Sequence, residues 1–92
     1  MKQKRYPLIF ESSDYNILKN NSMITTCCGS FLRKVQRQGN RVELLLTEFE
    51  LKELAGFVAA EANHAISKNK EQELQKIYDQ LELALYSLNK VK

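Results

Sequence analysis

The sequence predicts an α+β fold in which a small β-hairpin or meander in the N-terminal half precedes an antiparallel two-helix hairpin in the C-terminal half. Three observations support this prediction. Apolar residues recur at helical spacing in two segments after residue 47, a short polar break separates these segments, and apolar residues occupy every second position of 41–46. A chain of 92 residues has room for one core, so we predict a single domain with a β-rich basic half, 1–46, and a helical half, 47–92.

The first helix of the C-terminal half is predicted to begin at Thr47. Thr47 and Glu50 have the spacing of a capping box, in which two side chains satisfy backbone N–H groups reciprocally. Six apolar residues then fall on one stripe of the helix: Leu51, Leu54, Ala55, Val58, Ala62 and Ala65. Gly56 costs about 1 kcal/mol relative to Ala in a helix interior. We therefore expect a neighbouring element to pack closely against Gly56.

The second helix is predicted to follow a short turn at 67–70. Asn69 and Gln72 form a weaker capping pair. Apolar residues then recur at intervals of three and four: Leu74, Ile77, Leu81, Ala84, Leu88 and Val91. Two long helices joined by so short a connection run antiparallel and share a seam. We therefore expect one common core to bury Leu54, Val58, Leu74, Ile77, Leu81 and Leu88.

In the first half of the chain the sequence predicts strands, but part of the pattern also fits a helix. Residues 31–37 are expected to pair with 41–46, because the Gln38-Gly39-Asn40 sequence between them favours a turn, although the spacing of the apolar residues in 31–37 also fits a helix. Residues 23–28 are rich in β-favouring side chains and predict another strand. Residues 6–10 predict an edge strand, where Pro7 is tolerated.

A short helix is an alternative for part of this region. Ser13 and Asp14 fit the cap of a single helical turn that ends near Leu18. This alternative stays open at the level of the sequence.

Composition and cysteine usage indicate an intracellular protein. No run approaches the roughly 18 apolar residues of a membrane span, and residues 7–10 are far shorter than the apolar region of a secretory signal. Cys27 and Cys28 are adjacent, a spacing that disfavours a disulfide between them, so we expect free thiols in a reducing, cytoplasmic compartment. The small size is typical of bacterial or phage proteins.

Positive charge is concentrated in the first half of the chain. Residues 1–46 contain eight Lys or Arg against three acids, whereas 47–92 contain six against eight. On the predicted hairpin this basic set comprises Arg33, Lys34, Arg37 and Arg41, with Lys2, Lys4 and Arg5 as an extension and with Phe31 and Tyr6 as residues that can stack on bases. The pattern predicts possible nucleic-acid contact, but basic residues on an exposed hairpin are also ordinary solubilising charges.

Catalytic and metal chemistry are weakly indicated. Glu61 and His64 have the Glu-x-x-His spacing found in metal sites of helical bundles, but the chain has one histidine. The alternative is that both flank the apolar stripe, with His64 near the helix C-terminus. The adjacent cysteines lack the spacing of a zinc site, and no glycine-rich phosphate loop is present. We therefore expect no enzymatic activity, cofactor or metal.

An apolar excess on the second helix indicates association. Leu83 and Tyr86 fall roughly opposite the Leu74, Ile77 and Leu81 stripe on a helical projection, so they form a possible interface. The alternative is an intramolecular cover by the first 46 residues. The leading functional prediction is a non-enzymatic protein-interaction or self-association module, with a homodimer or another protein as partner. The second is a nucleic-acid-binding accessory protein.

Overall fold

The structure is a computed structural model, and it describes residues 4–33 and 35–91. It confirms the α+β class, with a three-stranded antiparallel sheet in the N-terminal half and a helical hairpin in the C-terminal half. The elements follow one another in the order β1 (Tyr6–Glu11), α1 (Ser12–Asn20), α2 (Ser22–Leu32), β2 (Val35–Gln38), β3 (Arg41–Leu46), α3 (Glu48–Asn63) and α4 (Lys68–Val91).

The sheet has the strand order β1-β3-β2, with both pairs antiparallel. The predicted hairpin is present as β2 and β3, but its first strand begins at Val35 rather than at residue 31. Gly39 in the connecting turn has a φ of 60°, a conformation that favours glycine. The predicted edge strand at 6–10 is confirmed as β1.

The sheet has one buried and one exposed face. Its inner face comprises the buried residues Leu8, Phe10, Val42, Leu44 and Leu46. Its outer face comprises Pro7, Ile9, Arg41, Glu43 and Leu45, which alternate with the inner residues and are exposed or half-buried. The helices therefore pack on one side of the sheet, and the core lies between them and the inner face.

The strand predicted at residues 23–28 is wrong, because these residues belong to helix α2. Ile24, Cys28 and Leu32 are buried at four-residue intervals, which places them on one side of a helix. The Asn21 side chain caps the helix by accepting a hydrogen bond of 3.0 Å from the backbone N–H of Ile24. Burial of this face and the cap outweigh the local preference of β-branched residues for strands.

The short helix near Asp14 is present and longer than the single predicted turn. Helix α1 has nine residues, and Glu11 occupies its N-cap position without a side-chain capping bond, so Ser13 is not the cap. Asp14 is buried, accepts a 3.3 Å hydrogen bond from Gln80 and lies 3.8 Å from the Lys76 Nζ. These contacts connect α1 to α4.

Helix α3 begins as the sequence predicts. The backbone N–H of Glu50 donates to the Thr47 hydroxyl at 3.1 Å, and the backbone N–H of Thr47 donates to the Glu50 carboxylate at 3.0 Å. The predicted stripe is buried at Leu51, Leu54, Ala55, Val58 and Ala62, and Ala65 beyond the helix end is half-buried.

The close approach expected at Gly56 is wrong. Gly56 is exposed, and a Cβ added there would meet no atom within 4 Å. The glycine lies on the side of α3 turned away from the core, beside Phe49 and Phe57 in a shallow surface groove. Its small size therefore does not admit a neighbouring helix.

Helix α4 is capped two residues earlier than predicted. The Ser67 hydroxyl, not the Asn69 side chain, accepts a 3.2 Å hydrogen bond from the backbone N–H of Lys70, and the helix begins at Lys68. The common core is confirmed, because Leu54, Val58, Leu74, Ile77 and Leu81 are buried in one cluster and Leu88 packs against it half-buried. The side chain of Val91 lies outside the described part of the chain.

No helix within residues 4–33 and 35–91 is long and apolar enough to cross a membrane.

Candidate functional site

A groove of about 250 Å³ lies where α1, α2 and β2 meet. These three elements contribute both an apolar wall and a basic rim to it. The groove is lined by Tyr15, Lys19, Thr25, Gly29, Leu32, Arg33, Val35 and Arg37.

Tyr15 anchors the groove. Its ring is 2% exposed, and its hydroxyl donates a buried 2.7 Å hydrogen bond to the backbone carbonyl of Leu32 at the end of α2. This bond satisfies a carbonyl that has no partner within the helix. Tyr15 therefore fixes α1 against the point where the chain leaves α2 and turns into β2.

Three cationic side chains from three different elements converge on this groove. The Lys19 Nζ lies 5.8 Å from the Tyr15 ring centroid, and the Arg37 Cζ lies 5.4 Å from the same centroid. Arg33, at the C-cap of α2, is exposed on the rim. Within the described residues, no carboxylate forms an ion pair with any of the three. The groove is therefore a concave surface of one charge sign.

The basic residues that were predicted to form one surface lie in different places in the structure. Arg33 and Arg37 share the groove, whereas Arg41 belongs to the outer face of the sheet, directly opposite Glu11 on β1. Arg37 is the partner of the buried Val42 and so lies on the inner-face side of β2. Lys34, the fourth member of the set, lies outside the described residues. Nucleic-acid contact by these residues stays a prediction.

The expected extension of the basic surface has other contacts. Arg5 forms a 2.8 Å ion pair with Glu50 and donates a 3.2 Å hydrogen bond to the carbonyl of Leu45, which connects the start of β1 to the start of α3. Lys4 lies 5.5 Å from the ring centroid of Tyr6. Lys2 and the side chain of Phe31 lie outside the described part of the chain.

Lys19 is the groove residue that sequence analysis missed. It lies in the last turn of α1, and the sequence predicted at most one helical turn there. The available signal was the i, i+4 spacing of Tyr15 and Lys19, which places both side chains on one side of a helix.

Glu61 and His64 do not form a metal site with other described residues, among which no cluster of three potential ligands occurs. Glu61 accepts a 2.9 Å hydrogen bond from the Asn21 side chain, so it connects α3 to the start of α2. His64 is the exposed C-cap residue of α3. This arrangement agrees with the alternative interpretation of the pair as the flank and end of the apolar stripe.

The two cysteines are free thiols in different environments. Cys27 is exposed and Cys28 is buried. Burial raises the pKa of the Cys28 thiol to about 11, with smaller contributions from the nearby Cys27 and Glu53. Because the thiolate is the reactive form, Cys28 is a poor nucleophile at neutral pH.

We expect a thiol-alkylating reagent at neutral pH to modify Cys27 rapidly and Cys28 only after unfolding. A Cys27→Ser variant isolates the buried thiol, and mass spectrometry of samples with and without denaturant measures its modification. The raised pKa of Cys28 also makes the stability of the fold depend on pH. Its contribution is fully present below pH 9.0, the pKa of the thiol in the unfolded chain, and is lost as the pH rises towards about 11, the pKa in the folded protein. Rapid alkylation of the folded Cys27→Ser variant at neutral pH would contradict the assignment.

The outer surface at the C-terminal end of α4 is apolar. Leu83 and Tyr86 are 68% and 61% exposed, so residues 4–33 and 35–46 do not provide the intramolecular cover considered above. Helix α4 has 24 residues against 16 in α3, and at a rise of about 1.5 Å per residue it is about 12 Å longer. Apolar residues occupy several sides of this segment: Leu83, Ala84, Leu85, Tyr86 and Leu88.

Comparison of the chain with protein-family models, curated proteins and solved structures finds no match.

Proposed function

We propose that the protein is a non-enzymatic interaction module that self-associates through the outer surface of α4 around Leu83 and Tyr86. The observation that carries this proposal is the 68% exposure of Leu83 in a helical segment with apolar residues on several sides. Helices that are apolar around much of their circumference are usually buried against a second surface. The half-buried Ala84, Leu85 and Leu88 already face this chain's own core, which leaves the opposite side for a partner.

A second copy of the chain is the partner we favour. In a twofold dimer the same patch meets itself, so one apolar surface buries two copies of Leu83. The length of α4 also favours this arrangement, because α4 has 24 residues against 16 in α3 and the exposed Leu83 and Tyr86 lie in its C-terminal half.

The cysteines support two further parts of the proposal, namely that the protein is not a thiol enzyme and that it is located in the cytoplasm. The burial and raised pKa of Cys28 argue against a nucleophilic thiol. The exposed, unbridged Cys27 is compatible with a reducing, cytoplasmic location.

Sedimentation velocity of the wild type and of a Leu83→Lys variant tests self-association. We expect the wild type to show a concentration-dependent dimer and the variant to remain a folded monomer, because a lysine at the centre of the interface would have to lose its hydration on association. A second variant, Tyr86→Lys, should weaken the dimer in the same direction.

Ile66→Lys is the matched control, since Ile66 is a fully exposed apolar residue in the loop between α3 and α4. This substitution makes the same change in charge and polarity at a site away from the proposed interface. We expect it to leave the dimer unchanged. A wild type that sediments as a monomer at high concentration, or an equal loss of dimer in the Ile66→Lys control, would contradict the proposal.

Nucleic-acid binding is the second candidate function. The convergence of Arg33 and Arg37 on one groove favours it, because guanidinium groups bind phosphate well. The position of Arg41 beside Glu11 argues against nucleic-acid binding. Both residues lie on the other face of the sheet, where a long phosphate backbone would approach acidic side chains.

A further inference from the structure

We propose that the groove formed by α1, α2 and β2 is a binding site for a small organic phosphate, a phosphate monoester with a compact apolar or aromatic group. This inference goes beyond self-association, because the groove and the α4 surface around Leu83 have no residue in common.

Electrostatics favours a dianion at this place. Lys19 and Arg37 both lie near the Tyr15 ring, and Arg33 joins them on the rim. Like charges held together repel one another, and within the described residues no carboxylate is paired with them. A phosphate monoester has a charge of about −1.5 to −2 near neutral pH. Its oxygens accept hydrogen bonds from several directions, which matches cations supplied by three separate elements.

The shape of the groove favours a compact ligand over a polynucleotide. The cavity of about 250 Å³ is below the usual range of roughly 300–1,000 Å³ for drug-sized ligands. Tyr15 is buried and lies beside Arg37, so its ring is not a platform for base stacking. Leu32 and Val35 provide an apolar wall for the organic part of the ligand.

The positively charged surface ends where the outer face of the sheet begins, because carboxylates lie on that face. Glu43 lines a separate surface depression together with Arg33 and Arg5, and Arg5 is already paired with Glu50 at 2.8 Å. Arg41 is directly opposite Glu11. A phosphate chain that continued past Arg33 onto this face would therefore approach carboxylates, whereas a single phosphate in the groove would not.

Isothermal titration calorimetry with phenyl phosphate tests the proposal, with inorganic phosphate, benzoate and a mixed-sequence oligonucleotide as comparison ligands. We expect phenyl phosphate to bind more tightly than inorganic phosphate, because the phenyl group contacts the apolar wall, and more tightly than benzoate, because benzoate has one negative charge. Arg37→Gln and Arg33→Gln should each weaken phenyl phosphate binding about tenfold or more, the loss expected for one charge-assisted hydrogen bond.

Arg41→Gln is the matched control, because it removes the same charge on the other face of the sheet. We expect it to change the affinity for phenyl phosphate by less than about twofold, since Arg41 is exposed on the opposite face of the sheet and does not line the groove. Circular dichroism checks the fold of each variant. Lys19→Gln provides a third test from a different element if Arg37→Gln is not folded.

Three results would overturn the proposal. An equal loss of affinity in Arg41→Gln and Arg37→Gln would indicate nonspecific attraction to the net positive charge. Benzoate binding as tight as phenyl phosphate would indicate a carboxylate site. Tighter binding of the oligonucleotide, with a steep salt dependence and equal losses in the Arg33, Arg37 and Arg41 variants, would assign the basic residues to nucleic acid instead.

Discussion

Replacing Leu81 by Ala is expected to lower the free energy of unfolding by about 2–5 kcal/mol. Leu81 is 0% exposed and belongs to the core cluster shared by α3 and α4. Truncation removes buried methyl and methylene groups and leaves a cavity that the neighbouring helices fill only in part. Chemical denaturation of the wild type and the variant, analysed with a common slope, measures the difference.

Leu83→Ala is the matched control for this prediction, because it makes the same truncation two positions further along the same helix at a 68% exposed side chain. Under dilute conditions we expect a change within about 0.5 kcal/mol, the range of ordinary surface substitutions. A dependence of the Leu83→Ala effect on protein concentration would report association, whereas the Leu81→Ala effect should persist at every concentration. A small Leu81→Ala effect would contradict the shared helical core.

The helical hairpin was predictable because local and tertiary preferences agree there. The capping box at Thr47 and Glu50 defines where α3 begins, and it uses contacts only three residues apart. The apolar stripes of α3 and α4 recur with the helical period over many turns, and a short connection leaves few ways to bury both. These signals depend little on the rest of the fold.

Helix α2 was not predictable from propensity, because its sequence favours strands locally. Ile24 and the threonines at 25 and 26 are β-branched. In the helix, the hydroxyl of Thr25 donates to the carbonyl of Asn21 at 2.8 Å and that of Thr26 donates to the carbonyl of Ser22 at 2.7 Å. The signal for a helix was the four-residue spacing of Ile24, Cys28 and Leu32. This spacing favours a helix over a strand only when it is known that an apolar helix face must pack on the inner face of the sheet.

The candidate groove was predictable only in part. Arg33 and Arg37 were predicted from the sequence, but together with Arg41 as one basic set. The period-two alternation of a hairpin with its turn at Gly39 and Asn40 places Arg37 opposite Val42 and Arg41 on the other face. The contribution of Lys19 depends on how α1 packs against the end of α2, and this packing involves residues far apart in sequence.

Tyr15 connects the parts of the fold that the sequence left open, and its removal is the second large effect that we expect. Its ring packs in the core, its hydroxyl holds the end of α2, and Arg37 of β2 lies 5.4 Å from its centroid. Tyr15→Ala should lower the free energy of unfolding by about 3–5 kcal/mol, the range for truncating a large buried aromatic residue.

Tyr15→Phe separates the hydroxyl from the ring. It keeps the buried ring and its contact with Arg37 but removes the donor to the Leu32 carbonyl, so we expect a smaller loss of about 1–3 kcal/mol. Chemical denaturation measures the free energy of unfolding of both variants, and titration with phenyl phosphate measures the affinity of their groove for the ligand. Because α1, α2 and β2 meet at Tyr15, loosening the end of α2 should weaken phosphate binding in Tyr15→Phe although no cation is lost. Unchanged stability in this variant would show that the hydroxyl bond does not hold α2 in place.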